Sequence, residues 1–353
     1  MPVPSQLRPP RRFASRSARR TPFAVALLAV AAFVLNGCSG SEEDADLVIY
    51  SGRSEELVAG LISKFEEDSG LSVEVRYGDT AEMAAQLLEE GEQTPAQAFY
   101  SQDAGALGAL SEAGILAKLP ASLTDRVPPA YTSTDDTWVG VTGSARVIAY
   151  DPDKVEEADI PDDIAEFTEE EWRGEVAIAP TNASFQSFVT ALRVTEGEQA
   201  AEEFLRGLVD NDAEIYADNL TMLDGLEAGE VTAGLTNHYY LHEKALEVGE
   251  ENVRTQLKFA EPGTAGALVN VTGVGIIKSA PDKGPARKFA DFLLSDQTQA
   301  DFVETTGEFP LVEGVPGPEG LPTLEQLGGA GIDLAQLESL EKTVALLTKV
   351  GLI

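Results

Sequence analysis

The chain has 353 residues, more than one ordinary compact domain holds and enough for two. With 43% hydrophobic and 24% charged residues it can build a real core and is not a disordered chain. Asp and Glu number 60 against 25 Lys and Arg, and six of those bases (Arg8, Arg11, Arg12, Arg16, Arg19, Arg20) lie in the first 37 residues, which hold no acid; the remainder carries 19 bases against 60 acids, a net charge of −41. Such a surface repels phosphate backbones and anionic headgroups, which excludes nucleic-acid partners and membrane binding through a basic patch.

Arg8 to Arg20 form a positive segment followed by an apolar run from Pro22 to Leu35, about as long as a signal-peptide core and short for a spanning helix. The run closes in Leu35-Asn36-Gly37-Cys38, and Cys38 is the only cysteine, so no intrachain disulfide can form. This ending resembles the lipobox of bacterial lipoproteins. The resemblance implies a signal peptide over 1–37, lipidation at Cys38, a tether over 38–46, and an exported protein anchored on the outer face of the cell membrane.

From Leu47 strand and helix signals alternate. Leu47 to Tyr50 reads as a strand, Ser51 to Ser54 as a turn, and Glu55 to Asp68 as a helix with Leu57, Val58, Leu61, Ile62 and Phe65 at helical spacing. Gly70 caps it, Leu71 to Tyr77 alternates like a strand, and Thr80 to Glu90 is the next helix. A strand from Ala96 to Ser101 and a helix from Ala104 to Ala113, closed by Gly114, complete the opening of a doubly wound α/β unit. Residues 138–143 and 146–150 read as strands leaving this unit. A second α/β unit over about 152–263 has strands at 176–179, 213–216 and 232–235, the last running on to Tyr240, and a helix over 184–194. The β-prone run 268–277 returns to the first unit, and the tail from Leu321 reads as helices, most periodic over Leu337 to Val350. The predicted fold is α/β: two doubly wound lobes joined by two hinge crossings, with 47–146 and 268–320 in the first lobe and 147–267 and 321–353 in the second. Two crossings place a cleft at the hinge, where strand C-ends converge.

The clearest chemical signal is Tyr239-Tyr240. Adjacent phenols often only pack, since Tyr suits strands and interfaces. Alternatively they hold a hard trivalent cation, because phenolate is a hard anionic donor and a bound cation strips the proton from a group whose free pKa is about 10. Asn237 then supports the ring orientations. Asn182 reads as a helix N-cap, and the free N–H groups after it either form an ordinary cap or attract an anion. His238 and His242, the only histidines, are four apart as in some zinc sites, but two further N or S donors are missing, so packing or surface roles are expected. With two histidines and no Gly-x-Ser-x-Gly, His-Glu-x-x-His or Gly-x-x-x-x-Gly-Lys, no enzyme is expected.

Across most of the chain after residue 46 the sequence resembles the ferric-iron-binding substrate-binding proteins of ABC importers, of the type II periplasmic-binding fold. The resemblance lies in Val48-Ile-Tyr-Ser-Gly-Arg53, Thr94-Pro-Ala-Gln-Ala-Phe-Tyr-Ser-Gln-Asp103, Leu110-Ser-Glu-Ala-Gly114 and Arg146-Val-Ile-Ala-Tyr-Asp151. It continues in Pro180-Thr-Asn-Ala-Ser-Phe185, Tyr216-Ala-Asp-Asn219, Asn237-His-Tyr-Tyr240, Gly266-Ala-Leu-Val269 and Glu308-Phe-Pro-Leu311. It implies a ferric ion, Fe(III), as transported ligand, clamped in the interlobe cleft by Tyr239 and Tyr240 with a synergistic phosphate or carbonate. Asn182, Ala183 and Ser184 fall on the helix start that cradles the anion, and Asn219 and Asn237 on its side-chain donors. Some members place a His at Ser54 and a Glu at Gln102; here both positions are neutral donors. Other members bind carbonate through an Arg at the first turn, the position of Arg53. Arg146 is a second counter-charge or a hinge salt bridge, and Asp103 a carboxylate ligand or a helix cap. The resemblance further implies a monomer delivering iron to an ABC permease and its ATPase. The alternative is the same fold holding an organic solute such as a polyamine, thiamine or a phosphonate.

Overall fold

The computed structural model describes residues 45–328, 334, 337 and 339–353; the expected signal peptide, the lipidation site Cys38 and most of the tether lie outside the described residues. Among the described residues no helix is long and apolar enough to cross a membrane.

The first lobe opens with β1 (Leu47–Ser51), α1 (Glu55–Ser69), β2 (Val73–Tyr77), α2 (Thr80–Glu90), β3 (Ala98–Ser101), α3 (Ala104–Glu112) and the single turn α4 (Ala121–Thr124). β1 pairs in parallel with β2 on one side and β3 on the other. Helices cover both faces of a parallel sheet, which is why β1 and β3 read as unbroken apolar runs and not as alternation. Gly70 ends α1 at φ 69°, donating to Glu66 O, in the left-handed conformation that glycine adopts without penalty.

β4 (Trp138–Tyr150) is a single strand of 13 buried residues, not the two short strands expected from the sequence. Its register shifts between Gly140 and Gly143, where a Cβ would meet Tyr131 O at 2.7 Å and Leu311 Cδ2 at 3.3 Å respectively. The second lobe follows: β5 (Val176–Ile178), α5 (Ala183–Thr195), α6 (Glu198–Asp210), β6 (Glu214–Ile215), α7 (Asn219–Glu227), β7 (Ala233–Asn237), α8 (Tyr239–Val248) and β8 (Gln256–Phe259). The chain returns through β9 (Val269–Ile276), then α9 (Gly284–Leu293), α10 (Asp296–Thr306), β10 (Phe309–Pro310) and α11 (Leu340–Val350).

Strand order is β2-β1-β3-β9-β4-β7-β5-β6, with β8 and β10 also on β4. The first half of β4 pairs with β9, up to Ala145 opposite Val269; from Arg146 on it pairs with β7 and β8. The two crossings therefore lie side by side, held by Arg146 N donating to Leu268 O at 2.8 Å. One apolar core, built on Ile49, Phe99, Val139, Val274 and Phe289, flanks the first half of β4. Two others flank the second, one on Phe167, Phe185, Phe188 and Leu205, the other on Met222, Leu223 and the tyrosine pair.

The tail corrects one expectation. Leu321, Leu324, Leu327, Leu334 and Leu337 pack into the first core, whereas Leu346, Leu347, Val350 and Leu352 pack into the second, so 321–353 is not wholly second-lobe. The described helix begins at Leu340, and residues 321–328 form turns. α11 is fastened to α5 where Arg193 Nη1 donates to Thr343 Oγ1 at 2.8 Å and to Ser339 O at 3.1 Å.

Candidate metal and anion site

β7 runs into α8 with only His238 between them, already helical at φ −58° and ψ −38°. That residue anchors the junction. Its ring stacks on Phe309 with centroids 4.6 Å apart, Nδ1 accepts from Ala145 N at 3.1 Å, and Nε2 lies 2.9 Å from Gly307 O. Burial pushes the imidazole down to about 4, against the backbone bonds to Gly307 and Ala145, so the ring is neutral. His242 reaches Glu304 O at 3.1 Å. Both histidines hold α8 in place. Among the described residues no cluster of three or more His, Cys, Asp or Glu forms a metal cage.

Tyr239 and Tyr240 thus occupy the first turn of a helix. Their ring centroids are 4.2 Å apart at an interplanar angle of 34°. The rings pack with Met222, Leu223 and Leu226 and are 0% and 8% exposed. The hydroxyls leave the apolar layer. Gln102, from the first lobe, donates through Nε2 to Tyr239 Oη, and Asn182 donates through Nδ2 to Tyr240 Oη at 3.1 Å. Tyr240, Gln102, Asn182, Ala183 and Ser54 line one cleft of about 670 Å³, within the range of small-molecule sites. Burial, reinforced by Tyr240, raises the Tyr239 phenol well above 10, with Arg53 opposing.

The anion-site candidates converge on Ser184. Asn182 caps α5 by accepting from Ser184 N at 2.9 Å and from Ser184 Oγ at 2.7 Å. Asn219 Nδ2 and Arg146 Nη1 each donate to Ser184 Oγ at 3.5 Å, and Arg146 Nη1 reaches Asn237 Oδ1 at 3.5 Å. Asn237 Nδ2 donates to Ser144 Oγ at 3.2 Å. The Asn219 Oδ1 and Arg146 Nε atoms are buried without partners among the described residues. Among the described residues Arg146 forms no hinge salt bridge: its side-chain partners there are Ser184, Asn237 and the Leu235 carbonyl, all neutral, and Cζ lies 4.9 Å from the Phe188 ring centroid. Burial lowers its pKa to about 9, against the pull of Tyr240 and Tyr239, which leaves it cationic at neutral pH.

Arg53 is placed differently from expectation. It is fully buried in a bidentate pair with Glu308, Nη1 to Oε1 at 2.7 Å and Nη2 to Oε2 at 2.8 Å. Burial opposes its charge, but Glu308 outweighs burial and pushes the pKa up. Arg53 therefore meets the cleft with its charge already matched, and of the two arginines it is Arg146 that has no carboxylate partner among the described residues. Ser54 precedes α1 with no side-chain capping bond.

Asp103 takes the helix-cap role, accepting from Ala106 N at 3.1 Å at the start of α3. Burial pushes its carboxyl up from 3.8 to about 6, against the N–H groups of Ala106 and Gly105. The folded chain then holds this proton more tightly than the unfolded one. Its contribution is complete below about pH 4 and is lost as pH rises through about 6. Asp103→Asn, which keeps the acceptor, is expected to stabilise the fold by ~1–3 kcal/mol near neutral pH and by little near pH ~4. Thermal melts at the two pH values test this; equal gains at both would rule out the buried charge as the cause.

Sequence reading missed Glu308 and Glu243. Glu308 stood inside a recognised stretch, but only the fold shows it facing Arg53. Glu243 was hidden because Tyr239-Tyr240 was read as a strand end; the apolar and polar alternation over 239–248 continues as a helix, which puts Glu243 one turn from both phenols.

Two α/β lobes crossed twice at one strand, with polar groups of both lobes meeting in the gap, define the type II periplasmic-binding architecture. The model of the family described as "Bacterial extracellular solute-binding protein" matches residues 95–323. The major ferric iron-binding protein of Neisseria meningitidis serogroup B is 32% identical over 310 residues, 87% of this chain and 93% of that protein. The Fe(3+)-binding periplasmic protein of Serratia marcescens is 30% identical over 332 residues, 93% of this chain and 97% of that one. Iron-bound HitA from Pseudomonas aeruginosa superposes with a TM-score of 0.82 at 30% identity, covering 86% of this chain and 99% of its own. The chain belongs to the bacterial extracellular solute-binding proteins.

Proposed function

We propose that this protein captures ferric ion together with a small synergistic anion, phosphate or carbonate, and hands it to an ABC permease and its ATPase. On this reading it is an exported monomer held to the outer face of the cell membrane by a lipid on Cys38, and it performs no catalysis. Tyr239 and Tyr240 bind the metal. The start of α5 at Asn182, Ala183 and Ser184 receives the anion with Asn219 and Asn237, and Arg146 supplies the positive charge that Arg53, matched by Glu308, does not. Ser54 and Gln102 are neutral donors at the cleft rim.

The observation that carries the reading is the pair of phenol oxygens leaving an apolar layer side by side beside an asparagine-capped helix start. Relatives named for ferric-iron binding, similar over most of both chains, support it. Burial raises the Tyr239 phenol above its ordinary value, so binding a metal there must release its proton, and uptake weakens as pH falls. Release to a permease follows when hinge motion separates Gln102 of the first lobe from Tyr239 of the second.

Titrating the protein with ferric citrate tests the reading. A saturable visible band from phenolate-to-iron charge transfer is expected. A protein that binds no ferric ion and gives no band belongs to the organic-solute alternative.

A further inference from the structure

Two phenolates offset only part of the charge of a ferric ion, and the two first-lobe positions at the cleft, Ser54 and Gln102, offer a hydroxyl and an amide. A site for a hard trivalent cation is expected to recruit another anionic oxygen. Six carboxylates line the cleft: Glu55, Glu56, Asp79, Glu82, Asp218 and Glu243. The first five are exposed to solvent, and Asp218 is engaged in capping α7 through Thr221.

Glu243 differs in each respect. It is half-buried, its Oε2 is shut off from solvent, and that atom has no hydrogen-bond partner among the described residues. A buried carboxylate oxygen without a donor is costly and rare. On α8 it follows Tyr239 by four residues and Tyr240 by three, the spacings that bring side chains onto one helix face. Arg53 makes its ion pair with Glu308 and not with Glu243, and burial pushes the Glu243 carboxyl up to about 6 against the pull of Arg53.

We propose that Glu243 is a third anionic ligand of the ferric ion, supplying from the tyrosine helix the carboxylate that Gln102 cannot supply from the opposite lobe. This rests on the ferric reading of the cleft. All three anionic donors that the protein itself supplies then belong to one helix of one lobe. Iron loads onto that lobe first, and the first lobe contributes closure through Gln102 and not charge.

The test compares wild type with Glu243→Gln, an isosteric change, in ferric citrate titrations that read both affinity and the visible band. The variant is expected to bind at least about 10-fold more weakly. Its band should move to longer wavelength, because losing an anionic donor leaves the iron a better acceptor of phenolate charge. Its melting temperature without iron should be unchanged or higher, since an unpaired buried charge has been removed. A wild-type band that Glu243→Gln leaves at the same position and affinity overturns the role of Glu243 alone; a wild-type protein with no band removes the ferric reading and the proposal with it.

Discussion

Tyr240→Phe should abolish most ferric binding while leaving the fold intact. Its ring packs with Met222, Leu223 and Leu226, and phenylalanine preserves that packing while deleting only the oxygen. The oxygen is the point of the residue: it accepts from Asn182 at the start of α5 and opens to the cleft. Groups that merely support metal ligands cost about 10–100-fold in affinity when removed, so loss of a ligand itself should exceed about 100-fold. Tyr239→Phe should do the same and also strand the Gln102 amide, which now donates across the lobes. The double variant should show no visible band at any ferric citrate concentration. Circular dichroism and melting curves check that the losses are local. If the double variant keeps both the band and wild-type affinity, the phenols are packing residues and the metal lies elsewhere.

The α/β class and the alternation of strands and helices were legible in the sequence because they rest on local signals. β1 through α3 alternate apolar runs with helical spacing, and glycines punctuate them, Gly70 and Gly114 at φ 69° and 71°. β4 was broken between Gly143 and Arg146, whereas in the fold the strand runs on through Ser144 and Ala145, with Gly140 and Gly143 passing Tyr131 and Leu311 closely. The chemistry of α8 was misplaced for a related reason. Tyr239 and Tyr240 are β-formers, but they follow His238, which is already helical and is held by Phe309, Ala145 and Gly307, contacts that are distant in the chain. Charge partners were the least legible. Arg53 and Glu308 are 255 residues apart in the chain, and no periodicity connects them. Without that pairing Arg53 looked like the free cation of the cleft; with it, that part passes to Arg146, which lies among neutral partners at the crossing of the lobes.

That distant pair makes the strongest stability prediction. Arg53 and Glu308 side chains are both 0% exposed and joined by two short parallel bonds, with Thr306 Oγ1 donating to Glu308 Oε2 at 3.1 Å. Taking two ions out of water is expensive, so the pair itself adds little net stability. Removing one partner is a different matter, because the other ion then stays buried and unmatched. Glu308→Gln should therefore cost about 3–5 kcal/mol, measured by urea unfolding. Arg53→Met combined with Glu308→Leu should cost far less than Glu308→Gln alone, since no ion is left behind. The two variants also separate stability from function. Glu308→Gln leaves a bare guanidinium at the cleft proposed to hold ferric ion, and on that reading its remaining folded fraction should bind ferric ion more weakly. The double replacement removes that repulsion and should regain affinity. Equal stability losses in the single and double variants would show that Glu308 acts through packing, and the matched-charge account of Arg53 would then fail.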